Sequence, residues 1–462
     1  MEQTTAKKNK YEIDMCNGTI MDKLISFSLP LMLSGILQLM FNAVDIIVVG
    51  RFSGSQALAA VGSTSALINV FTNLFIGISL GANVLTARFY AAGREKEVSE
   101  TVHTAITLAL VSGIIMALVG LVFSKGALAL MGTPDDVIGL SALYMRIYFL
   151  GMPFFMLYNY GAAILRAVGD TKRPLLFLMI AGVINACLNM VLVIVFKLGV
   201  AGVAIATVIS QMISCVLVLR CLCRSESSYR LRFSELGMKG YYLKQIFSVG
   251  VPAGIQSTVI NFSNVLLQSS VNSFGSTAMA GYTAANNLLG FLYVSVNSIT
   301  QASMSFTSQN YGVGKLKRMD RVLADCMILS VVVAVVLGCI CYGFGPEILQ
   351  IYTEDAEVIA CGMEILAYTT ITYFLCGWMD LFPGALRGMG YSAVPMVLSV
   401  IGTVGTRVVW IFGIFPYHRS LAILFISYPA SWIITIVLQV ICFYFVRRRV
   451  HRRSQALAGQ EA

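Results

Sequence analysis

Along this chain, apolar runs of about 20–30 residues alternate with short polar breaks. Read with the turn signals between them, the runs predict helices at 24–50, 57–87, 102–124, 138–165, 174–196 and 199–219. A second set follows at 245–273, 278–309, 322–344, 358–386, 394–415 and 420–446. About 20 residues cross the hydrocarbon core of a bilayer, so every run is long enough. The fold class is an all-α polytopic membrane protein with twelve transmembrane helices in two six-helix bundles. The expected organisation is an N-tail at 1–23, a bundle at 24–219, a basic linker at 220–244, a second bundle at 245–446 and a basic C-tail at 447–462. The first 23 residues are polar and the run after them is too long for a signal peptide, so it is expected to persist as the first helix.

The two sets share a register. Pro30 and Pro252, and Phe52 and Phe274, lie 222 apart, while Tyr90 with Tyr311 and Gly93 with Gly314 lie 221 apart. Leu165-Arg166, Gly169 and Pro174 match Leu386-Arg387, Gly390 and Pro395, and Ser210 matches Ser431. Six spans per half give both halves one orientation, so the expected relation is a pseudo-twofold axis along the membrane normal. In such transporters the ligand site lies between the repeats, and one bundle rocks against the other.

Composition agrees and charge adds an orientation. Apolar residues make up 57% of the 462 and charged ones only 12%, too few to cover a soluble core of this size. A secreted disulfide scaffold, a disordered chain and a large extramembrane catalytic domain are all excluded. The 11 cysteines lie mostly in apolar runs without a C-x-x-C pair, and with three His no zinc spacing exists. Of 32 Lys and Arg, 26 fall on the side of the termini and four, Arg51, Lys125, Lys197 and Arg419, on the other. By the positive-inside rule both termini are cytoplasmic, in a plasma or inner membrane. The +10 balance is then topological, with anionic inner-leaflet lipid as the expected partner and no nucleic acid needed.

Charges inside a span cost about 2.5–3.5 kcal/mol each, so the few present carry information. Ser34, Gln38, Asn42 and Asp45 are spaced 4, 4 and 3 and share one face of the first span. Such a stripe ending in a carboxylate points to a water-filled cavity, though a static hydrogen-bond network is the alternative. The seventh span has a matching stripe, Ser257, Asn261, Asn264 and Gln268, and the eighth adds Asn286, Tyr293, Asn297 and Gln301. Asn42 matches Asn264 in the register, but Asp45 matches Leu267, so the carboxylate belongs to the first half alone. Ion binding and cationic-substrate binding compete at such a carboxylate, which is antiport in its simplest form. Asp380, whose repeat mate is Asn159, fits a coupling role or a structural one, with Arg387 two turns along the same face. Arg146 is expected to snorkel from the outer end of its span, and Arg407 to pair with a carboxylate or with backbone carbonyls.

Several local runs resemble one family, the multidrug and toxic compound extrusion (MATE) transporters. They are Leu29-Pro30-Leu31 through Asp45, Gly50-Arg51-Phe52, Leu165 through Pro174, Gly199 through Thr207, and Gly384 through Gly390. With the 6+6 plan they extend the resemblance over roughly residues 20–446. The resemblance implies a V-shaped, monomeric exporter of varied cationic or amphipathic compounds in exchange for H+ or Na+, without a bound cofactor. The DinF-like branch, the closer one, keeps an acidic residue where Asp45 stands and bends its first helix, and Pro30 stands where a bend fits. That branch's polar cluster maps onto Asn185, Asn189 and Thr207. Its second position is commonly Asp and here is Asn189, so two carboxylates become one. The NorM-like branch's seventh-helix Glu is absent from Ser257-Thr258-Val259-Ile260-Asn261. Proton coupling through Asp45 is the first choice and Na+ at Asp45 the second, with Gln38, Asn42, Asn261, Asn264, Gln268, Asn297 and Gln301 as the substrate-cavity lining.

Within the same superfamily, a lipid-linked oligosaccharide flippase is the alternative, but such relatives show fourteen spans and a strongly cationic cavity. No nucleophile–base or metal set suggests an enzyme. Gly312-Val313-Gly314-Lys315 lacks the first glycine of a P-loop, and Leu316 replaces its Ser or Thr, so no nucleotide is expected.

Overall fold

A computed structural model describes residues 10–458; residues 1–9 and 459–462 of the two expected tails lie outside the described residues. Twelve helical rods succeed one another, and no strand occurs among the described residues. In the first half they are α1 (Met21–Phe52), α2 (Ser55–Ala91), α3 (Glu95–Leu130), α4 (Asp135–Leu150 and Met152–Ala167), α5 (Lys172–Asn189, then a wider turn Met190–Val195) and α6 (Gly199–Cys223). In the second half they are α7 (Gly240–Asn272), α8 (Ser276–Gly312), α9 (Leu316–Gly343), α10 (Ala356–Thr369 and Tyr373–Gly388), α11 (Ala393–Ile414) and α12 (Leu421–Ala458). Each helix covers its apolar run to within one residue, and most extend beyond it at one end or both.

Eight rods are long and apolar enough on their own to cross a membrane, and the bent pairs of α4 and α10 raise this to ten. α7 and α8 fall short because their amide and hydroxyl faces lower the average, as the stripes through Asn261, Asn264, Asn297 and Gln301 require. The repeat is also written into the backbone. α4 bends by 47° at Gly151 and α10 by 50° just before Tyr373, at matching positions of the register. Gly54, Gly93 and Gly169 have positive φ, and so do their mates Gly275, Gly314 and Gly390. Each reverses the chain between helices in the left-handed region, where a Cβ is costly.

The chain forms two compact units. The first holds the residues up to Ile13 with Leu33–Gly254, and the second Asp14–Met32 with Ile255 onward. The chain changes units once ahead of α1, between Ile13 and Asp14, and twice inside helices, in α1 and α7, within three residues of Pro30 and Pro252. Proline removes one backbone hydrogen bond there, which makes each helix pliable at the place where it leaves one unit for the other.

In the first unit a continuous apolar core runs from Val48 and Val49 through Phe149 and Tyr160 to Ile246. α2 and the start of α7 meet there backbone to backbone. A Cβ on Gly77 would strike Gly254, one on Gly81 the Ile246 carbonyl, one on Gly250 the Ile78 backbone, and one on Gly254 the Leu74 carbonyl. Two G-x-x-x-G pairs thus interlock, the small-residue contact that lets membrane helices approach closely without a hydrophobic driving force. The 220–244 segment is ordered against the same unit. The Arg232 amide donates to His103 Nε2 at 3.0 Å and the Lys239 amide to Thr104 Oγ1 at 3.3 Å. Tyr229 and Tyr90 donate to the two oxygens of Glu12 at 2.6 and 2.7 Å. Burial, and then the Glu12 carboxylate beside it, push the Tyr229 hydroxyl up to about 12, so it remains a donor at neutral pH.

The second unit has its own core around Leu267, Tyr282, Phe425 and Trp432. Met15–Gly18 is held by side chains of α8 and α9: Asn310 donates to the Met15 carbonyl at 3.1 Å, and Arg318 Nη1 to that of Gly18 at 2.9 Å. Arg447 grips Asp320 with two bonds of 2.6 Å.

Candidate functional site

The first unit assembles a polar centre from three helices. α1 brings Asp45, α5 brings Asn185 and Asn189 one turn apart, and α6 brings Thr207. α1 can lie close against α5 because Gly182 has no Cβ and the Phe41 ring fills that place. Asn189 Nδ2 donates to Asp45 Oδ1 by a short bond and to Asn185 Oδ1 at 3.2 Å. Thr207 Oγ1 donates to Asp45 Oδ2 at 3.4 Å and to the Val203 carbonyl at 3.0 Å. Asn189 is fully buried and Asn185 nearly so, whereas Asp45 is half-buried. All four residues grouped from the sequence therefore meet at one carboxylate.

Two features of this centre carry chemistry. The carboxylate, when ionised, only accepts hydrogen bonds, and here it receives two neutral donors, with no cation bonded to it among the described residues. In addition, Asn189 Oδ1 is buried without a hydrogen-bond partner among the described residues. A buried orphan acceptor is unfavourable by about 1–3 kcal/mol unless it has a use. Rotating that amide by half a turn presents Oδ1 to Asp45, where it accepts from a protonated carboxyl or faces a cation. The same pocket feels Tyr144 and Tyr148 of α4, stacked with centroids 6.2 Å apart. Sequence reading passed these tyrosines over, since aromatics in an apolar span look like packing; their i,i+4 spacing was the available signal.

The second unit carries a different centre in the matching triad of helices. Among the described residues Arg407 of α11 pairs with no carboxylate and no backbone carbonyl, which corrects the expectation from sequence. Its Nη1 donates to Ser263 Oγ at 2.9 Å and Asn264 Oδ1 at 2.7 Å, both side chains of α7. Its guanidinium lies 4.6 Å from the centre of the Tyr428 ring of α12. Burying such a charge costs several kcal/mol. The ring returns about 2 kcal/mol in a dry site, and α7 offers neutral acceptors where a sequence reader looks for an acid.

Other candidates are more dispersed. Asp380 is half-buried on α10 within electrostatic reach of Arg387, but Arg387 Nη2 turns to Gln256 Oε1 at 2.6 Å. Gln301 donates to Asn297 at 3.1 Å. Gln38, Asn42 and Asn261 are exposed and Gln268 is half-buried. Arg146 is exposed, as a snorkelling side chain should be. Among the described residues no three His, Cys, Asp or Glu side chains are grouped to hold a metal ion.

A family model described as MatE matches residues 30–191 and 252–412, one stretch in each half of the repeat. The chain belongs to the MATE family. Members are transporters and not enzymes. This MATE chain is 32% identical to a Bacillus subtilis (strain 168) protein named "Probable multidrug resistance protein YoeA", over 92% of this chain and 93% of that one. It is 22% identical to the multidrug export protein MepA of Staphylococcus aureus (strain NCTC 8325 / PS 47), over 82% and 84%. Among solved structures, an outward-facing multidrug resistance MATE family transporter of the MOP superfamily matches with a TM-score of 0.87 at 19% identity, over 97% of this chain and all of that one. That likeness shows the MATE fold of twelve helices in this protein.

Proposed function

We propose that this MATE transporter exports cationic or amphipathic small molecules in exchange for protons, with Asp45 as the coupling group. The observation that carries the proposal is the hydrogen-bonded carboxylate of Asp45, held among Asn185, Asn189 and Thr207 inside a membrane span. The names of relatives as multidrug proteins support the substrate class. Protonation turns Asp45 from acceptor to donor, and the orphan Asn189 oxygen takes the new O–H once its amide rotates. One carboxyl thus has two self-consistent hydrogen-bonding states, and loss of its charge weakens its hold on a cation. Gln38, Asn42, Asn261, Asn264, Gln268, Asn297 and Gln301 line the substrate path in this reading. Asp380 serves as a structural neighbour of Arg387. The protein works as a monomer in the cell membrane with both termini in the cytoplasm, its basic loops against anionic lipid. Of the two arginines buried among the described residues, Arg387 is engaged by Gln256, and Arg407 alone is too little positive charge for a lipid-linked pyrophosphate.

A sodium reading has its own support, since Asp45, Asn185, Asn189 with its amide rotated, and Thr207 supply four oxygen atoms. Proteoliposomes separate the two. A cationic dye added outside the vesicles, an inwardly directed gradient, should drive protons out of the lumen, read by an entrapped pH indicator, with choline replacing sodium at no loss. A strict sodium requirement with no proton movement sinks the proton reading. Asn189→Asp should raise the proton-to-substrate ratio from about one toward two, because it adds a second titratable oxygen pair at the same centre. An unchanged ratio in an active variant would show that α5 does not share the coupling site.

A further inference from the structure

Arg407 is only 3% exposed, the most deeply buried arginine of the second unit, yet it is left incompletely bonded. Its titratable neighbours are Tyr428, Cys376, Tyr282 and Tyr373, and none is a carboxylate. Both of its hydrogen bonds leave from Nη1, toward Ser263 and Asn264. Nε is buried without a partner, and Nη2 donates to no acceptor among the described residues. A guanidinium has five donors in a planar fork, and the edge made by Nε and Nη2 offers two parallel N–H groups. That edge fits the two oxygens of a carboxylate. The occupied side is the one that fixes the group, and the vacant side is the one that recognises.

The fork is also held rigidly. Tyr428 stacks on it at 4.6 Å, and the Tyr428 hydroxyl is fixed by that of Tyr282 at 3.0 Å. Tyr428 in turn packs on Trp432, with ring centres 5.8 Å apart. Under the repeat register Asn264 corresponds to Asn42 and Tyr428 to Thr207, so α7, α11 and α12 here match α1, α5 and α6 around Asp45. The two units thus hold opposite charges in equivalent settings. We propose that the Nε–Nη2 edge of Arg407 binds a carboxylate of the transported molecule, which makes Arg407 the residue that sets selectivity between carboxylate-bearing amphiphiles and simple cations. This rests on the efflux reading for its substrate class, but not on the identity of the coupling ion.

Rhodamine 110 and rhodamine 123 provide a matched test, since the free carboxyl of the first is a methyl ester in the second. Wild type should export both from cells lacking other pumps. Arg407→Gln should cut rhodamine 110 export at least tenfold and leave rhodamine 123 within about twofold, with Arg407→Lys between. A transport-free measurement on wild type stands beside it, so that the outcome does not depend on the variant folding. Benzoate, but neither benzamide nor an equal concentration of chloride, should saturably change the tryptophan fluorescence of purified wild type, where Trp432 adjoins Tyr428. Wild type exporting rhodamine 123 but not rhodamine 110 overturns the proposal. So does a parallel fall of both dyes without a benzoate response, or a folded variant that exports both normally. Export of neither dye by wild type counts against the efflux reading itself, and the benzoate titration then decides the carboxylate site alone.

Discussion

Dye export should collapse in Asp45→Asn while the protein stays folded. The new amide oxygen still accepts from Asn189, and the new amide nitrogen can donate to the Thr207 hydroxyl, so the local packing is kept and the titratable charge is lost. One proton exchanged for one monovalent cation moves no net charge, so the pH difference is the driving force, and each pH unit, worth about 1.4 kcal/mol, sustains a roughly tenfold dye gradient. The variant should therefore lose both the accumulated gradient and the dye-driven proton release, and any residual flux should be flat between about pH 6 and 8. Thermal stability in detergent should stay at the wild-type value or rise, because a partly buried charge has been removed. Wild-type export by the variant across that pH range would dismiss Asp45 as the coupling group.

The largest structural effect is expected from Gly81→Leu. The added side chain meets the Ile246 carbonyl and backbone of α7, which has no rotamer by which to yield. Overpacked cores lose about 1–3 kcal/mol when side chains can shift, and a backbone-to-backbone contact should reach about 3 kcal/mol or more. We expect little monodisperse protein on size exclusion and a markedly lower melting temperature. Gly126→Ala is the control, since nothing lies within 4 Å of its added Cβ. It should be neutral or stabilising by about 0.5–1 kcal/mol through helix propensity. Equal behaviour of the two variants would mean that the α2–α7 contact is not tight in solution.

The helices were legible because a bilayer imposes a length and a polarity that few other environments do, and the repeat was legible because its register survives in glycines and prolines. Asp45 stood out for the same reason, as a charge in a span has to be accounted for. Its partners Asn185, Asn189 and Thr207 were reached through the family resemblance; spacing alone does not separate them from other amides and hydroxyls in α5 and α6. Arg407 was visible as a charge, but its neutral acceptors on α7, some 140 residues earlier, were not. The pairing of Gly77 and Gly81 with Gly250 and Gly254 was equally hidden. Among 40 glycines that spacing says only that a close approach is feasible, and the partner is chosen by tertiary packing.

The wider helical turn at Met190–Val195 has a counterpart at Trp410–Ile414, and the two overlap under the 221-residue register. Such a turn arises when one residue is inserted into an ordinary helix, and it persists mostly where function keeps it. The shared turn lies just past Asn189 in α5 and just past Arg407 in α11, so each charged centre sits beside a stretch of helix with a looser hydrogen-bond spacing than its neighbours. A second wide turn, Val400–Gly405, lies just ahead of Arg407, where the matching stretch of α5 is ordinary helix. Arg407 is therefore bracketed by two places where the helix can change pitch, and Asn189 borders one.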